Sequence, residues 1–185
     1  MATQSHQADA MAQDGDIDAL ELLAQDHQNV KELFEQYEAL SDRSLVSKRK
    51  LALKICTELS KHATAEEELF YPAVRKAARS NQDLVDEARV EHASAKELIA
   101  QIVSMAPGED LYDARVKVLS EQIAHHVEEE ENEIFPAARE AKIDLLELGR
   151  QIVARKAEIE LPEMQMQGGQ GMAPPASSIG QQGAL

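Results

Sequence analysis

The sequence twice sets a histidine and a glutamate four residues apart and then places a proline ten residues after the histidine. His62, Glu66 and Pro72 do so in HATAEEELFYP, and His126, Glu130 and Pro136 in HVEEEENEIFP. On a helix, positions i and i+4 leave one face about a turn apart, so each pair offers a ring nitrogen and a carboxylate to the same point. If that face is the inward one, the glutamate is the harder residue to explain. An uncompensated buried carboxylate costs on the order of several kcal/mol, unless it neutralises or finds a cation. Metal ligation is the chemistry this pattern points to.

Two further histidines share the pattern. Leu20, Leu23, His27, Val30, Phe34 and Tyr37 recur at steps of three and four, as do Ala88, His92, Ala95, Ile99 and Ile102. His62 and Glu66 lie in a stripe with Ile55, Leu59, Leu69 and Ala73; His126 and Glu130 lie in one with Leu119, Ile123, Ile134 and Ala137. One inward histidine is ordinarily a hydrogen-bonded core residue. Four, joined by two glutamates at the same offset, point instead to a shared polyvalent site: His27, His62, Glu66, His92, His126 and Glu130.

Two octahedral ions need about twelve ligand positions. Four imidazoles fill four, and two bridging carboxylates fill four more. An oxo or hydroxo bridge would use two of those remaining, which leaves one open position per ion for a small exogenous ligand. Mixed imidazole and carboxylate coordination with open positions favours two iron ions, with manganese next; zinc prefers four-coordinate sites, often with thiolates.

The elements that must position these groups are helices. Apolar recurrence predicts them at 16–40, 44–70, 82–105, 110–134 and 144–160, joined by breaks short enough for antiparallel neighbours. Pro72 and Pro136 should interrupt helical hydrogen bonding, with helix resuming at an angle. The chain also repeats itself. DHQNVKELFEQ, from Asp26, answers to EHASAKELIAQ, from Glu91; His92 follows His27 by 65 residues, and His126 follows His62 by 64. Two helical hairpins are duplicated in tandem.

Length and composition fit one domain with tails: a polar segment at 1–15, a folded unit at 16–161, and a Gly-, Pro-, Met- and Gln-rich segment at 162–185 expected to be a flexible extension. Aromatic residues are only 3%, so the core must be aliphatic and alanine-rich. A net charge of −15 repels phosphate backbones and anionic headgroups, which argues against nucleic acid and membrane surfaces as partners. Cys56 excludes an intramolecular disulfide or a multi-cysteine cluster, and its phase predicts an inert core thiol. No stretch is long enough to span a bilayer, and the expected location is cytoplasmic.

Over roughly 16–160, the ordered set of His27, HATAEE, His92 and HVEEEE resembles the hemerythrin-like family, the HHE cation-binding domain. The resemblance implies an all-α, up-down-up-down antiparallel four-helix bundle, here with an additional short C-terminal helix. It also implies a non-haem di-iron centre, carboxylate-bridged, that binds dioxygen or related small molecules. Oxygen-carrying hemerythrins have His-x-x-x-His on the third helix, whereas here Lys96 stands four residues after His92. The closer likeness is therefore to the four-histidine, two-carboxylate branch.

Several assignments stay open at this level. Glu67 and Glu131 compete with Glu66 and Glu130 as ligands; His125, about 100° around the helix from His126, is expected to be exposed or in an outer role. Tyr37 is expected to pack in the core, with a proton- or electron-donating role as the alternative, and Asp26 and Glu91 are expected to be solvated. Function divides between a carrier, sensor or buffer of dioxygen, nitric oxide or iron and a stress-defence enzyme acting on peroxide, nitric oxide or damaged iron centres. The redox partner is not legible, and a bundle with an incidental polar core is the bland alternative.

Overall fold

A computed structural model of the chain describes residues 17–78 and 81–159. The expected tails at 1–15 and 162–185 lie outside the described residues. Among the described residues every regular element is helical: α1 (Ala19–Glu38), α2 (Leu45–Ala65), α3 (Tyr71–Ala77), α4 (Gln82–Ser104), α5 (Tyr112–Glu129), α6 (Phe135–Glu140) and α7 (Leu145–Glu158). Two helices begin on side-chain caps that sequence composition supplies. The Glu21 N–H donates to Asp18 Oδ1 at 2.9 Å, and the Glu147 N–H to Asp144 Oδ1 at 3.0 Å.

The four long helices pack in a cycle, α1 on α2, α2 on α4, α4 on α5 and α5 on α1, giving a helical bundle. The predicted inward residues of α1 (Leu20, Leu23, His27, Val30, Phe34 and Tyr37) are all buried. Apolar burial forms two clusters. One gathers Leu20, Leu23, Phe70, Tyr71, Val85, Phe135 and Ile152; the other gathers Val30, Phe34, Ile55, Cys56, Ile102 and Leu119. In sequence, the four histidines fall where the first cluster gives way to the second, so a polar layer divides two greasy ones. Each large side chain so buried contributes about 1.5–3 kcal/mol.

The expected unbroken helices at 44–70 and 110–134 are corrected. A five-residue π-helical segment occupies Glu66–Phe70 and another occupies Glu130–Ile134, each starting at the inward glutamate. The Tyr71 N–H reaches back to the Glu66 carbonyl, and the Phe135 N–H to the Glu130 carbonyl, one residue further than in an α-helix. Each proline sits at the start of the next helix. In a regular α-helix its ring would press on the carbonyl four residues back, and a wider turn relieves that clash.

In the first half the extra residue shifts the buried face, whereas in the second Ile134 and Ala137 are buried as expected. Leu69 and Ala73, expected inward, are only partly buried, while Phe70, Tyr71 and Val74 are fully enclosed.

Helix α7 packs on α1, α2 and the first π segment through buried Leu148 and Ile152. Gly149 permits the approach: a Cβ there would lie 2.4 Å from the Ile17 carbonyl oxygen. Among the described residues, no helix is long and apolar enough to cross a membrane.

Candidate metal centre

The three- and four-residue spacing that makes each helix amphipathic also delivers its polar members to the bundle interior. His27 from α1, His62 from α2, His92 from α4 and His126 from α5 are all buried, and Glu66 and Glu130, at the starts of the π segments, are 0% exposed. Their donor atoms form two groups, each with all atoms within 4.8 Å of one another. His27, His62, Glu66 and Glu130 make one, and Glu66, His92 and His126 the other. Glu66 belongs to both.

The imidazoles are oriented alike. Every Nε2 faces inward: His27 Nε2 lies 3.2 Å from His62 Nε2, and His92 Nε2 lies 3.1 Å from His126 Nε2. Glu66 Oε2 approaches His62 Nε2 at 3.0 Å and His92 Nε2 at 3.5 Å; Glu130 Oε2 approaches His27 Nε2 at 3.3 Å and His126 Nε2 at 3.8 Å.

Every Nδ1 faces outward onto a carboxylate. The pairs are His27 with Glu131 at 2.8 Å, His62 with Asp26 at 3.1 Å, His92 with Glu67 at 3.1 Å, and His126 with Glu91 at 2.8 Å. A carboxylate on Nδ1 accepts the ring proton there, which leaves the Nε2 lone pair free. Asp26 and Glu91, expected to be solvated, are therefore corrected: they fix two of the rings. Glu67 and Glu131 do the same for the other two, and the inward oxygens belong to Glu66 and Glu130.

This donor set fits a cation and fits little else. None of the four carboxylate oxygens of Glu66 and Glu130 has a hydrogen-bond partner, and the short contacts to His62 and His27 lack the alignment such a bond requires. Four unpartnered oxygens and paired ring nitrogens in one buried layer carry an unmet demand for positive charge.

The titration behaviour reflects the same demand. Burial opposes charge on His62, yet the Glu66 and Asp26 carboxylates outweigh it and raise its pKa to about 10. Burial also opposes charge on His27, where Glu130 and Glu66 prevail and the pKa rises. At His92, burial and the neighbouring His126 and His62 push the pKa down to about 4. Burial would raise the Glu66 carboxyl, but His62 more than offsets it and the pKa is lowered. Without metal the cluster retains a proton on His62, and a cation would displace it.

One functional group escaped the sequence reading. Tyr71, in the first turn after the π segment, is fully buried with its hydroxyl 3.4 Å from His92 Nε2 and its ring 5.5 Å from the His92 ring. Burial and the charges of Glu66 and Glu130 hold its phenol well above the ordinary tyrosine range. A straight helix points Tyr71 away from the stripe; the paired prolines were the available signal that the turn widens. Tyr37 does not reach the site, and its hydroxyl donates to Asp113 at 2.6 Å in the second apolar cluster.

Lys96 bonds both oxygens of Glu67, at 2.6 and 2.7 Å, instead of supplying a fifth imidazole. His125 is exposed beside Glu91 and Glu129, and Cys56 is buried with its thiol pushed up to about 12 by burial.

A small chamber opens among the four rings, walled by Val30, Leu59, Ala95, Ile99, Ile123 and Val127. The space available to the centre of a water-sized molecule is about 20 Å³, room for one or two such molecules. A larger groove between α1 and α5, about 590 Å³, shares His27, Ile123 and Val127 with it.

Comparison with known proteins adds three findings. Residues 18–138 match the Hemerythrin HHE cation binding domain family. A protein from Nostoc sp. named DNA nickase is 30% identical over 126 residues, 67% of this chain and 34% of that protein, so the chain spans about a third of that relative's length. The crystal structure of a hemerythrin HHE cation binding domain-containing protein from Mycobacterium kansasii superposes with a TM-score of 0.65 at 26% identity. That match covers 76% of this chain and 86% of the other.

Proposed function

The chain belongs to the hemerythrin HHE cation-binding family, and from that premise we propose that it holds two iron ions and binds a small ligand at them: dioxygen, nitric oxide or peroxide. His27, His62 and Glu130 with the shared Glu66 would hold one ion, and His92 and His126 with Glu66 and Glu130 the other. The observation that carries this reading is the set of four buried, unpartnered oxygens of Glu66 and Glu130 facing four Nε2 atoms. Iron bound there would supply open coordination positions and a reversible change of oxidation state.

The chain's own residues do the rest. Asp26, Glu67, Glu91 and Glu131 keep a proton on each Nδ1, so all four rings present lone pairs inward. The wall of the chamber is mainly apolar, and its size limits the ligand to a few atoms. In keeping with the family and the short connections, residues 16–161 act as one domain with an up-down-up-down antiparallel arrangement. The nicking named for the Nostoc relative stays with that protein; a net charge of −15 opposes a phosphate backbone.

A second reading, turnover instead of carriage, is favoured by Tyr71. Its hydroxyl is the one non-imidazole proton donor bonded to a ring of the cluster among the described residues, and it retains its proton at neutral pH. Anaerobic reconstitution with iron, followed by spectra under dioxygen, nitric oxide and peroxide, tests both. Reversible spectral change without consumption is the expected result for carriage; peroxide removal faster than by free iron would establish turnover. Failure to take up iron would overturn the proposal.

A further inference from the structure

Helix α7 begins at Leu145, beyond the residues that match the family, yet one of its side chains reaches the metal layer's outer rim. Lys156 Nζ bonds both oxygens of Asp26, at 2.5 and 2.6 Å, and Asp26 Oδ2 in turn holds His62 Nδ1 at 3.1 Å. Both partners are largely enclosed, with the Lys156 side chain 18% exposed and that of Asp26 17%.

The docking of α7 does not depend on this bond. Leu148 and Ile152 are buried and Gly149 seats the helix on the start of α1, while Arg155 makes a separate, exposed pair with Glu68. Lys156 is therefore free to serve the carboxylate it contacts.

The same device occurs once more. Lys96 bonds both oxygens of Glu67, which holds His92 Nδ1. His62 and His92 fall in different donor groups, so each group has one ring whose outer carboxylate is gripped by a lysine. Among the described residues, Glu131 and Glu91, on the other ring of each group, bond no lysine.

We propose that Lys156 is a positioning residue for the metal site: by gripping both oxygens of Asp26 it fixes the His62 ring with Nε2 toward Glu66, and Lys96 does the same for His92 through Glu67. The carboxylate cannot rotate away from the ring while both its oxygens are tied. This rests on the metal-binding reading above and adds that α7 is part of the site's support. Groups bonded directly to a ligating ring, as Asp26 and Glu67 would be, typically change metal affinity by about 10–100-fold when removed, and a lysine acting through one of them should fall at the lower end.

The test uses the full chain, labelled with 15N at histidine, and cobalt(II) as the metal. In Lys156→Met, the metal-free spectrum should lose the ordered His62 Nδ1–H signal while the His92 and His126 signals stay. Uptake of one cobalt ion should weaken about tenfold with the other unchanged. Lys96→Met should weaken the opposite ion, and Lys156→Arg should restore the unaltered behaviour. Arg155→Ala, which breaks the neighbouring pairs with Glu68 and Glu158 and leaves Asp26 untouched, should change neither.

Equal weakening of both ions by Lys156→Met, or the same effect from Arg155→Ala, would overturn the proposal by reducing Lys156 to a tether for the helix. An unchanged His62 signal with unchanged cobalt uptake would overturn it directly. If the unaltered chain takes up no cobalt, the metal reading itself falls and takes this proposal with it.

Discussion

Tyr71 and Phe135 hold equivalent places in the two halves of the duplicated sequence, and only the first carries a hydroxyl. Tyr71 packs on the His92 ring at 5.5 Å, while Phe135 stacks on the His27 ring at 5.9 Å and 13°. His27 and His92 are themselves equivalent, so the two ring contacts repeat with one oxygen added. The two halves of the site are alike in their inward imidazoles and carboxylates and unlike in proton donors.

Tyr71→Phe should make them alike. The variant keeps its ring contact with His92, so folding and metal uptake should persist with a loss of about 1 kcal/mol, the size of one hydrogen bond. Azide, a small anion whose binding to the loaded protein can be followed by absorption, should bind about fivefold more weakly. An azide affinity equal to that of the unaltered chain would remove Tyr71 from the ligand's surroundings.

Glu130→Leu should have opposite effects on stability and on metal. Both oxygens of Glu130 are buried without a hydrogen bond, so an apolar group of similar size removes a desolvation cost on the order of several kcal/mol, and that relief should outweigh the lost 3.3 Å contact with His27. The metal-free variant should therefore melt higher than the metal-free parent and take up less iron. Calorimetry and metal analysis on the same preparation check it, and a lower melting temperature would contradict it.

For the metal-free chain, stability should pass through a maximum near pH 6.5. The folded pKa of His62 is raised, so its contribution is complete below the unfolded value of 6.5 and is lost as pH rises toward about 10. His92 is depressed to about 4, so the unfolded chain binds the extra proton between 6.5 and 4 and stability falls with acidification there. Denaturant melts from pH 4 to 10 should give this dome. Metal uptake near neutrality should release protons, and acid should release metal, because the ligand rings must be neutral.

Gly149→Ala should loosen α7. The added Cβ would meet the Ile17 carbonyl oxygen at 2.4 Å, backbone that cannot rotate aside. Overpacking of this kind costs about 1–3 kcal/mol. Amide exchange should accelerate in α7 first, and uniform protection across that helix would count against the predicted clash.

The six inward donors were legible because amphipathic period, helix by helix, is a local property: His27, His62, His92 and His126 fall on stripes that burial then honours. The outer shell was not, because bonds such as Glu131 to His27 join residues 104 apart in sequence and depend on how helices meet. A trace was present nonetheless. Asp26 and Glu91 each precede an inward histidine, and Glu67 and Glu131 each follow an inward glutamate, so the repeat preserved these acids too. Tyr71 was hidden for a different reason: one widened turn rotates everything after Glu66, and a stripe extrapolated at 3.6 residues per turn loses its phase there.

Two of the four outer carboxylates are exchanged between the two hairpins, while Asp26 and Glu91 serve their own. Glu131, from the second, grips His27 of the first, and Glu67, from the first, grips His92 of the second. A lone hairpin would lack one acid for its leading histidine and could recover it only by embracing another copy of itself. Each half of the tandem sequence therefore completes its surroundings only against the other, and neither hairpin alone carries a full cradle.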